Sequence, residues 1–175
     1  MQKAVISSTT TTLLQNSLNS NSRNNSQNDP ALKSGIVFLH ISMNKIEHIG
    51  IAVSSLEKSN ELFSKLFAQT PYKSEAVESE GVTTSFFKVG ENKIELLEAT
   101  NPESAIAKFI AKKGEGIHHI AFDVSDIRAE MKRLQAEGFI LLNEEPKKGA
   151  DNKLVCFLHP KSSNGVLIEL CQEIQ

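Results

Sequence analysis

The chain has 175 residues, of which 39% are hydrophobic and 23% are charged, which is enough for a folded core. A formal net charge of −2 and a pI near 6.2 give no electrostatic basis for binding nucleic acid. No apolar run approaches the roughly 20 residues of a membrane-spanning helix, so no membrane partner is expected. Cys156 and Cys171 lie in apolar segments and are too few for a disulfide framework, which predicts buried free thiols.

Residues 1–42 differ in composition from the rest of the chain. Serine, threonine and asparagine dominate and apolar periodicity is absent, so we predict a disordered or non-native N-terminal extension. The segment faintly resembles an organelle transit peptide, being poor in acidic residues. The expected location is the cytoplasm. If residues 1–42 are a transit peptide, the expected location is the mitochondrial matrix instead. Residues 43–175 are expected to form the working domain.

The regular pattern begins with a β-branched strand and a helix. Ser54 or Ser55 can cap that helix, and its apolar residues are expected to share one face that packs on a sheet. Those residues are Leu56, Leu62, Phe63, Leu66 and Phe67. The predicted elements of this first module are strand Lys45–Val53, helix Leu56–Phe67 and strands Tyr72–Val77, Val82–Val89 and Lys93–Glu98.

A connecting helix follows, with Asn101 as its N-cap and Pro102 in its first turn, through about Lys112. The order of elements then repeats. The predicted elements are strand Gly116–Val124, helix Asp126–Glu137 and strands Phe139–Leu142, Lys153–His159 and Val166–Gln172. We therefore predict an α+β fold of two β-α-β-β-β modules, at about 44–100 and 115–173.

The two modules also repeat their chemistry. His48 in the first strand of one module aligns with His119 in the first strand of the other. Glu95 and Glu169 occupy the last strand of each module, each inside an apolar run. A single strand histidine or glutamate is commonly structural or solvent-facing, but a set repeated in register favours a shared site. Because alternate strand residues face opposite sides, His118 is expected to face away from it.

Two imidazoles and two carboxylates converging from the two modules can bind a divalent ion octahedrally and leave two positions for substrate or water oxygens. Mixed nitrogen and oxygen donors suit Co, Ni, Mn, Fe or Zn better than Ca. The repeat therefore predicts a metal site formed by His48, Glu95, His119 and Glu169.

From about Asn44 to Gln172 the chain resembles the vicinal oxygen chelate (glyoxalase/bleomycin resistance/dioxygenase) superfamily, and within it the methylmalonyl-CoA epimerases. Six motifs together carry the resemblance. They are Glu47-His-Ile-Gly-Ile-Ala, Ile94-Glu-Leu-Leu-Glu, Gly114-Glu-Gly-Ile-His-His-Ile-Ala, Glu145-Pro with Gly149, Phe157-Leu-His-Pro-Lys and Gly165-Val-Leu-Ile-Glu-Leu.

The resemblance implies an eight-stranded, half-open barrel around a divalent metal held by His48, Glu95, His119 and Glu169. It implies cobalt as the metal, with Ni, Mn, Zn or Fe as alternatives, an acyl-CoA substrate, a homodimer and a role in propionate metabolism. Many epimerases have glutamine at the place of Glu95. A glutamate there makes the ligand set indistinguishable from that of bacterial-type glyoxalase I.

The implied reaction is epimerisation of (2R)- and (2S)-methylmalonyl-CoA by α-proton abstraction and reprotonation through a metal-stabilised enolate. Glu169 is the implied acid/base on one face of the substrate, and it is also a ligand. Some family members carry the second acid/base glutamate at the position of Thr84. Here Glu80, Glu78 or a water held by Thr84 could serve instead. Lys161 is a candidate contact for the substrate carboxylate or a CoA phosphate.

Two other functions remain open at this point. A glyoxalase I (lactoylglutathione lyase)-type isomerase would use the same four ligands. A non-catalytic small-molecule-binding member of the superfamily is the third candidate, although such proteins commonly lack a complete ligand set. An extradiol dioxygenase uses two histidines and one carboxylate, so Glu95 counts against that function.

Overall fold

The computed structural model describes residues 43–175, so the predictions for residues 1–42 lie outside the described residues. Within this part of the chain, no helix is both long enough and apolar enough to cross a membrane. The elements are β1 (Met43–Ala52), α1 (Leu56–Phe67), β2 (Lys73–Val77), β3 (Val82–Val89), β4 (Asn92–Ala99), α2 (Ala105–Lys113), β5 (Gly116–Val124), α3 (Ile127–Ala136), β6 (Lys147–Lys148), β7 (Lys153–Leu158) and β8 (Ile168–Glu173).

The eight strands of residues 43–175 form one mixed sheet in the order β2-β3-β4-β1-β5-β8-β7-β6. The first strand of each module pairs in parallel with the last strand of that module, β1 with β4 and β5 with β8. The two first strands pair antiparallel at the centre and join the modules. The predicted α+β fold, with two β-α-β-β-β modules curved into a half-barrel, is therefore confirmed.

Side-chain alternation gives each strand an outer and an inner face. In β4, Ile94 and Leu96 pack with α1, whereas Glu95 and Leu97 line a cavity on the other side. β7 alternates in the same way. The helices of the modules therefore cover the outside of the sheet, and its inside is left for a site.

The outer core of the second module lies between α3 and the sheet. Its buried members are Val124, Ile127, Met131, Leu134, Cys156, Leu158 and Leu170. Cys156 and Cys171 are both buried and free, as predicted. Burial raises the pKa of both thiols, which disfavours the reactive thiolate.

Helix α1 has the predicted bounds, and Ser55 caps it by accepting a hydrogen bond from the Lys58 N–H at 3.4 Å. The predicted apolar face is partly wrong. Leu62 and Leu66 are 63% and 68% exposed, because the inner stripe runs through other positions of the helix. That stripe is Leu56, Phe63 and Phe67, which pack on Val53, Phe87 and Leu96 of the sheet side.

The predicted start of the connecting helix is also wrong. Asn101 does not cap α2; its side-chain oxygen accepts from the Glu103 N–H at 3.0 Å in a turn that precedes the helix. Ser104 is the N-cap and accepts from the Ala107 N–H at 3.1 Å. An asparagine side chain offers the backbone a local turn in competition with a helix, which delays the helix start by about one turn.

Residues 139–142 do not form the predicted strand. Leu141 makes a single antiparallel bridge with Leu158, and the pairing then stops. The side-chain oxygen of Asn143 accepts from the Phe157 N–H at 3.2 Å, so an amide side chain takes the place of a backbone partner. The edge strand next to β7 is the two-residue β6, which the sequence pattern does not reveal.

The two edges of the sheet approach each other across the inner face. Lys73 Nζ in β2 lies 3.1 Å from Asp151 Oδ1 in the β6–β7 hairpin. Glu80, in the short turn between β2 and β3, lies 2.5 Å from Lys147 Nζ in β6. These two contacts between modules hold the half-barrel around its cavity.

Candidate active site

The four predicted ligands lie on the four central strands: His48 on β1, Glu95 on β4, His119 on β5 and Glu169 on β8. Each is at most 6% exposed. They converge because the first and last strands of each module are neighbours in the sheet and the modules meet along β1 and β5.

Their donor atoms lie within a few ångströms of one another. His48 Nε2 is 3.1 Å from Glu95 Oε2 and 3.8 Å from Glu169 Oε2. His119 Nε2 is 3.5 Å and 3.1 Å from the same two oxygens, respectively. The two Nε2 atoms are 3.0 Å apart.

This donor set fits a divalent ion. Donors that bind a transition metal at about 2.1 Å and at right angles to one another lie about 3.0 Å apart. The observed distances run from 3.0 to 3.8 Å. Two buried carboxylates beside each other are unfavourable without positive charge between them, which further suits a cation. Three of the four, His48, Glu95 and His119, are buried and offer ligand atoms that all lie within 4.8 Å of one another.

Electrostatics at this cluster follow from the close approach of opposite charges. Burial alone would lower the pKa of His48, but the carboxylates of Glu95, Glu47 and Glu169 raise that pKa well above 6.5. Burial would also lower the pKa of His119, but the carboxylates of Glu169 and Glu95, which accept hydrogen bonds from its ring, raise it. Burial would raise the pKa of Glu95, yet the two imidazoles hold it at about 2. Protons on the imidazoles therefore compete with a metal ion for the site.

Two bulges shape the site. Where β1 pairs with β5, Glu47 is skipped in one strand and His118 in the other, at corresponding positions of the two modules. In a bulge two residues oppose one on the partner strand, so strict alternation of side chains is lost. As a result Glu47 and His48, and likewise His118 and His119, line the same cavity.

The expectation that His118 faces away from the site is therefore wrong. Its Nδ1 lies 3.0 Å from Nδ1 of His119, and the two rings meet edge to face. Phe109 of α2 also packs edge to face with the His118 ring. Burial lowers the pKa of His118 to about 4. A neutral His118 can thus accept a hydrogen bond from His119 and fix which nitrogen of His119 faces the cluster.

Gly50 is a further site residue that sequence reasoning missed. It pairs with His119 across β1 and β5, and a Cβ at this position would lie 2.2 Å from Cε1 of the His119 ring. The corresponding residue of the second module, Ala121, pairs with His48. A small residue two positions after each histidine is the signal that the repeat contained.

The cluster lies beside a cavity of about 280 Å³. Apolar side chains form much of its wall: Val82, Leu97, Ile106, Val155, Phe157 and Leu167. Polar groups that the sequence did not point to, Asn143 and Lys147, also line it. The cavity can therefore hold a small, partly apolar group against the buried cluster.

Some of the candidate acid/base residues line the cavity, and others lie on the surface of the protein. Thr84, 1% exposed, and Glu80 both line the cavity. Glu78 is exposed and is not part of the wall. Lys161 is exposed in the turn after β7, outside the cavity wall, and its backbone N–H donates to His159 Nδ1 at 3.0 Å. A role for Lys161 in binding coenzyme A stays a prediction.

Residues 47–157 match the family model of the Glyoxalase/Bleomycin resistance protein/Dioxygenase superfamily. The mitochondrial methylmalonyl-CoA epimerase of Dictyostelium discoideum is 40% identical over 79% of this chain and 84% of its own length. The ethylmalonyl-CoA/methylmalonyl-CoA epimerase of Cereibacter sphaeroides is 39% identical over 73% of this chain and 97% of its own.

A solved structure extends the comparison to three dimensions. Streptomyces coelicolor methylmalonyl-CoA epimerase, in complex with 2-nitronate-propionyl-CoA, is 35% identical with a TM-score of 0.74. The match covers 77% of this chain and all (100%) of that one. The chain belongs to the methylmalonyl-CoA epimerase family of the Glyoxalase/Bleomycin resistance protein/Dioxygenase superfamily.

Proposed function

We propose that the protein interconverts (2R)- and (2S)-methylmalonyl-CoA. The observation that carries the proposal is a complete set of two buried histidines and two buried carboxylates beside a small, largely apolar cavity. Relatives that share 35–40% of the sequence are named for this activity, and one of them was solved with an acyl-CoA analogue.

The size of the cavity supports an acyl substrate. Its volume of about 280 Å³ lies just below the range of roughly 300–1,000 Å³ that drug-sized ligands fill, so it suits an acyl group and not a whole coenzyme. We infer that the apolar wall takes the methyl group and keeps bulk water from the reacting carbon. The coenzyme would extend outside the cavity, where Lys161 is a candidate contact.

The donor set leads us to propose a divalent ion, cobalt in the first place and Ni, Mn, Zn or Fe as alternatives, held by His48, Glu95, His119 and Glu169. Bound there, such an ion would offset the negative charge that develops on the thioester and carboxylate oxygens, a contribution of several kcal/mol. The chain's own task is to present these donors unprotonated, although the carboxylates favour protonated imidazoles.

Inversion requires a proton acceptor on one face of the α-carbon and a proton donor on the other. We propose the carboxylate of Glu169 for one face. For the other we propose Glu80, which lines the cavity and is held by Lys147 at 2.5 Å. Thr84, buried in the same wall, would orient a water molecule between such a group and the substrate.

The proposal predicts that metal-loaded protein converts a single isomer of methylmalonyl-CoA to the equilibrium mixture, and that a chelator stops this until Co²⁺ is returned. His48→Ala, His119→Ala and Glu169→Ala should each lose metal retention or activity. His159→Ala is the matched control, since that ring lies outside the cavity wall. Full activity with full metal retention in any one of the three ligand variants would contradict the proposed role of that residue.

Glyoxalase I activity is the second candidate, and Glu95 is the observation that favours it. Methylglyoxal with glutathione forms the hemithioacetal that glyoxalase I isomerises. The epimerase proposal predicts no turnover of this adduct by the cobalt- or nickel-loaded protein. Turnover of the adduct together with an inert methylmalonyl-CoA would assign the glyoxalase reaction instead. A protein that binds either compound without turnover would be a binding member of the superfamily.

Homodimer assembly, a role in propionate metabolism and a cytoplasmic location belong to the same proposal. They rest on the family resemblance. The mitochondrial matrix replaces the cytoplasm if residues 1–42 act as a transit peptide, as the mitochondrial name of the Dictyostelium relative suggests. Sedimentation analysis tests the dimer, and a fluorescent fusion with and without residues 1–42 tests the compartment.

A further inference from the structure

Glu47 is a buried carboxylate directly before the ligand His48. It is 5% exposed, and its Oε2 lies 2.5 Å from Nδ1 of His48. An imidazole has two nitrogens, and a hydrogen bond at one determines which way the other points. The contact from Glu47 therefore directs Nε2 of His48 toward Glu95 and His119, which lie 3.1 Å and 3.0 Å away.

The other oxygen of Glu47 is bound by lysines. Lys93 of β4 forms an ion pair with Oε1, and Lys153 of β7 lies 3.5 Å from the same atom. The Lys93 ammonium is held in turn by Asp151 Oδ2 at 2.7 Å. Glu47 and Lys93 belong to the first module and Asp151 to the second. A continuous chain of contacts thus runs from the second module to the histidine of the first.

Asp151 is itself held in place by the first module. Its carboxylate accepts from the Tyr72 hydroxyl and the Lys73 ammonium, both at 3.1 Å, and its backbone N–H donates to Glu75 Oε1 at 2.6 Å. The residue has a φ of 50°, in the left-handed region that asparagine and aspartate tolerate. Three separate contacts, with Tyr72 and with Lys73 and Glu75 of β2, therefore dock the hairpin and define the position of its carboxylate.

The second histidine has a different support. His118 occupies the bulge position that corresponds to Glu47, and its Nδ1 lies 3.0 Å from Nδ1 of His119. A neutral imidazole can orient the ring of His119, but it supplies no negative charge. The two halves of the cluster are thus unequal: a carboxylate anchored by two lysines supports His48, and an imidazole supports His119.

We propose that Glu47 is the positioning residue for His48, and that Asp151 of the second module acts on the same ring through Lys93 and Glu47. The inference rests on the proposed metal site but not on the identity of the reaction. It assigns to Asp151 and Lys93 a part in metal binding that they play through Glu47.

The test is Co²⁺ affinity of the folded protein, measured by titration calorimetry, together with the visible absorption of bound Co²⁺, which reports the ligand geometry. Glu47→Gln should weaken binding about 10-fold and Glu47→Ala more, within the 10–100-fold range for groups that support metal ligands. Asp151→Asn keeps the left-handed backbone and should cause a smaller loss. Glu57→Gln, an exposed carboxylate on α1, should leave affinity unchanged.

The double variant Glu47→Gln/Asp151→Asn distinguishes a chain of contacts from two independent effects. Because Asp151 is expected to act through Glu47, the double variant should bind Co²⁺ about as well as Glu47→Gln alone. Additive losses would overturn the coupling. An unchanged affinity and absorption spectrum in Glu47→Gln, with only a lower melting temperature of the metal-free protein, would overturn the positioning role.

The result of these Co²⁺-binding measurements can be distinguished from the result of the test for epimerase activity. If the wild-type protein binds Co²⁺ but does not epimerise its substrate, the reaction is refuted while the ranking of the variants still supports the positioning role. If the wild-type protein binds no divalent ion, the metal site and this inference are both refuted. If Glu47→Ala does not fold, Glu47→Gln alone tests the inference, because its amide oxygen keeps an acceptor beside His48.

Discussion

Gly50 leaves the space that the ring of His119 occupies. Because a Cβ there would lie 2.2 Å from His119 Cε1, Gly50→Ala must displace the ring. A displacement of about 1 Å at a reacting centre can cost about 100-fold in rate, so we expect a loss of that order in kcat, with weaker Co²⁺ binding. Ala121→Gly is the matched control: it removes a methyl group at the corresponding position and should mainly reduce stability, by about 1 kcal/mol. Wild-type kinetics in Gly50→Ala would contradict this account.

His48 makes the stability of the metal-free protein depend on pH. Burial opposes protonation, but the carboxylate of Glu95 above all raises the pKa of His48 well above the 6.5 of the unfolded chain. A raised folded-state pKa adds stability that is fully present below the unfolded value and is lost as pH rises through the folded one. The melting temperature in EDTA should therefore fall as the pH is raised from about 6.5 into the alkaline range.

Co²⁺ should reverse that trend, because metal binding requires unprotonated imidazoles and releases their protons. Its stabilising effect is thus expected to grow with pH over the same interval. Thermal melting with EDTA and with Co²⁺, in matched buffers, measures both. In EDTA, the melting temperature of a Glu95→Gln variant should fall less steeply with pH. A wild-type melting temperature that rises with pH in EDTA would contradict this account.

At the scale of residues, the repeat alone brought together His48, Glu95, His119 and Glu169, which the structure places within a few ångströms of one another. The places of Glu47 and His118 in the site were not predicted, for one physical reason. Their positions depend on bulges in the pairing of β1 with β5, strands from different modules. Nothing in the residues of either strand marks the skipped position. Strict alternation of side chains therefore predicts the wrong face for these residues.

The turn between β2 and β3 places one glutamate on the cavity wall and one on the surface. If Glu80 supplies the second acid/base group, Glu80→Gln should lower kcat at least 100-fold, since positioned acid–base groups contribute about 10²–10⁴. Glu78→Gln, in the same turn but exposed, is the matched control and should be silent. Loss of the half-exposed pair with Lys147 should cost at most about 1 kcal/mol of stability. Equal activity of both variants would remove Glu80 from the mechanism.

Elements with strong periodicity were predicted well, and elements set by side-chain hydrogen bonds were not. Helix α1 and strands β3 and β5 have the predicted bounds. The errors at the start of α2 and at residues 139–142 both involve asparagines, Asn101 and Asn143, whose side chains bond to backbone N–H groups. Such bonds replace the regular backbone pairing that a hydrophobic pattern implies.

At the scale of the whole molecule, residues 43–175 are expected to be sufficient for folding and activity. The family match begins at residue 47, and residues 1–42 lack apolar periodicity. Deleting 1–42 should therefore leave the melting temperature within about 2 °C and kcat within about twofold of the full chain, as for changes that touch no packed residue. Calorimetry and steady-state kinetics on both proteins check this, and non-cooperative melting of the shorter protein would show that the segment matters.

The central claim, that this half-barrel removes and returns the α-proton of methylmalonyl-CoA, is tested most directly by hydrogen exchange in D₂O. Each isomer is incubated separately with Co²⁺-loaded protein, and deuterium at the α-carbon is measured by mass spectrometry against a protein-free sample. The account predicts incorporation from both isomers above the protein-free rate, and loss of incorporation from at least one isomer in Glu169→Gln. If the metal-loaded protein exchanges the α-hydrogen of neither isomer, the claim is contradicted.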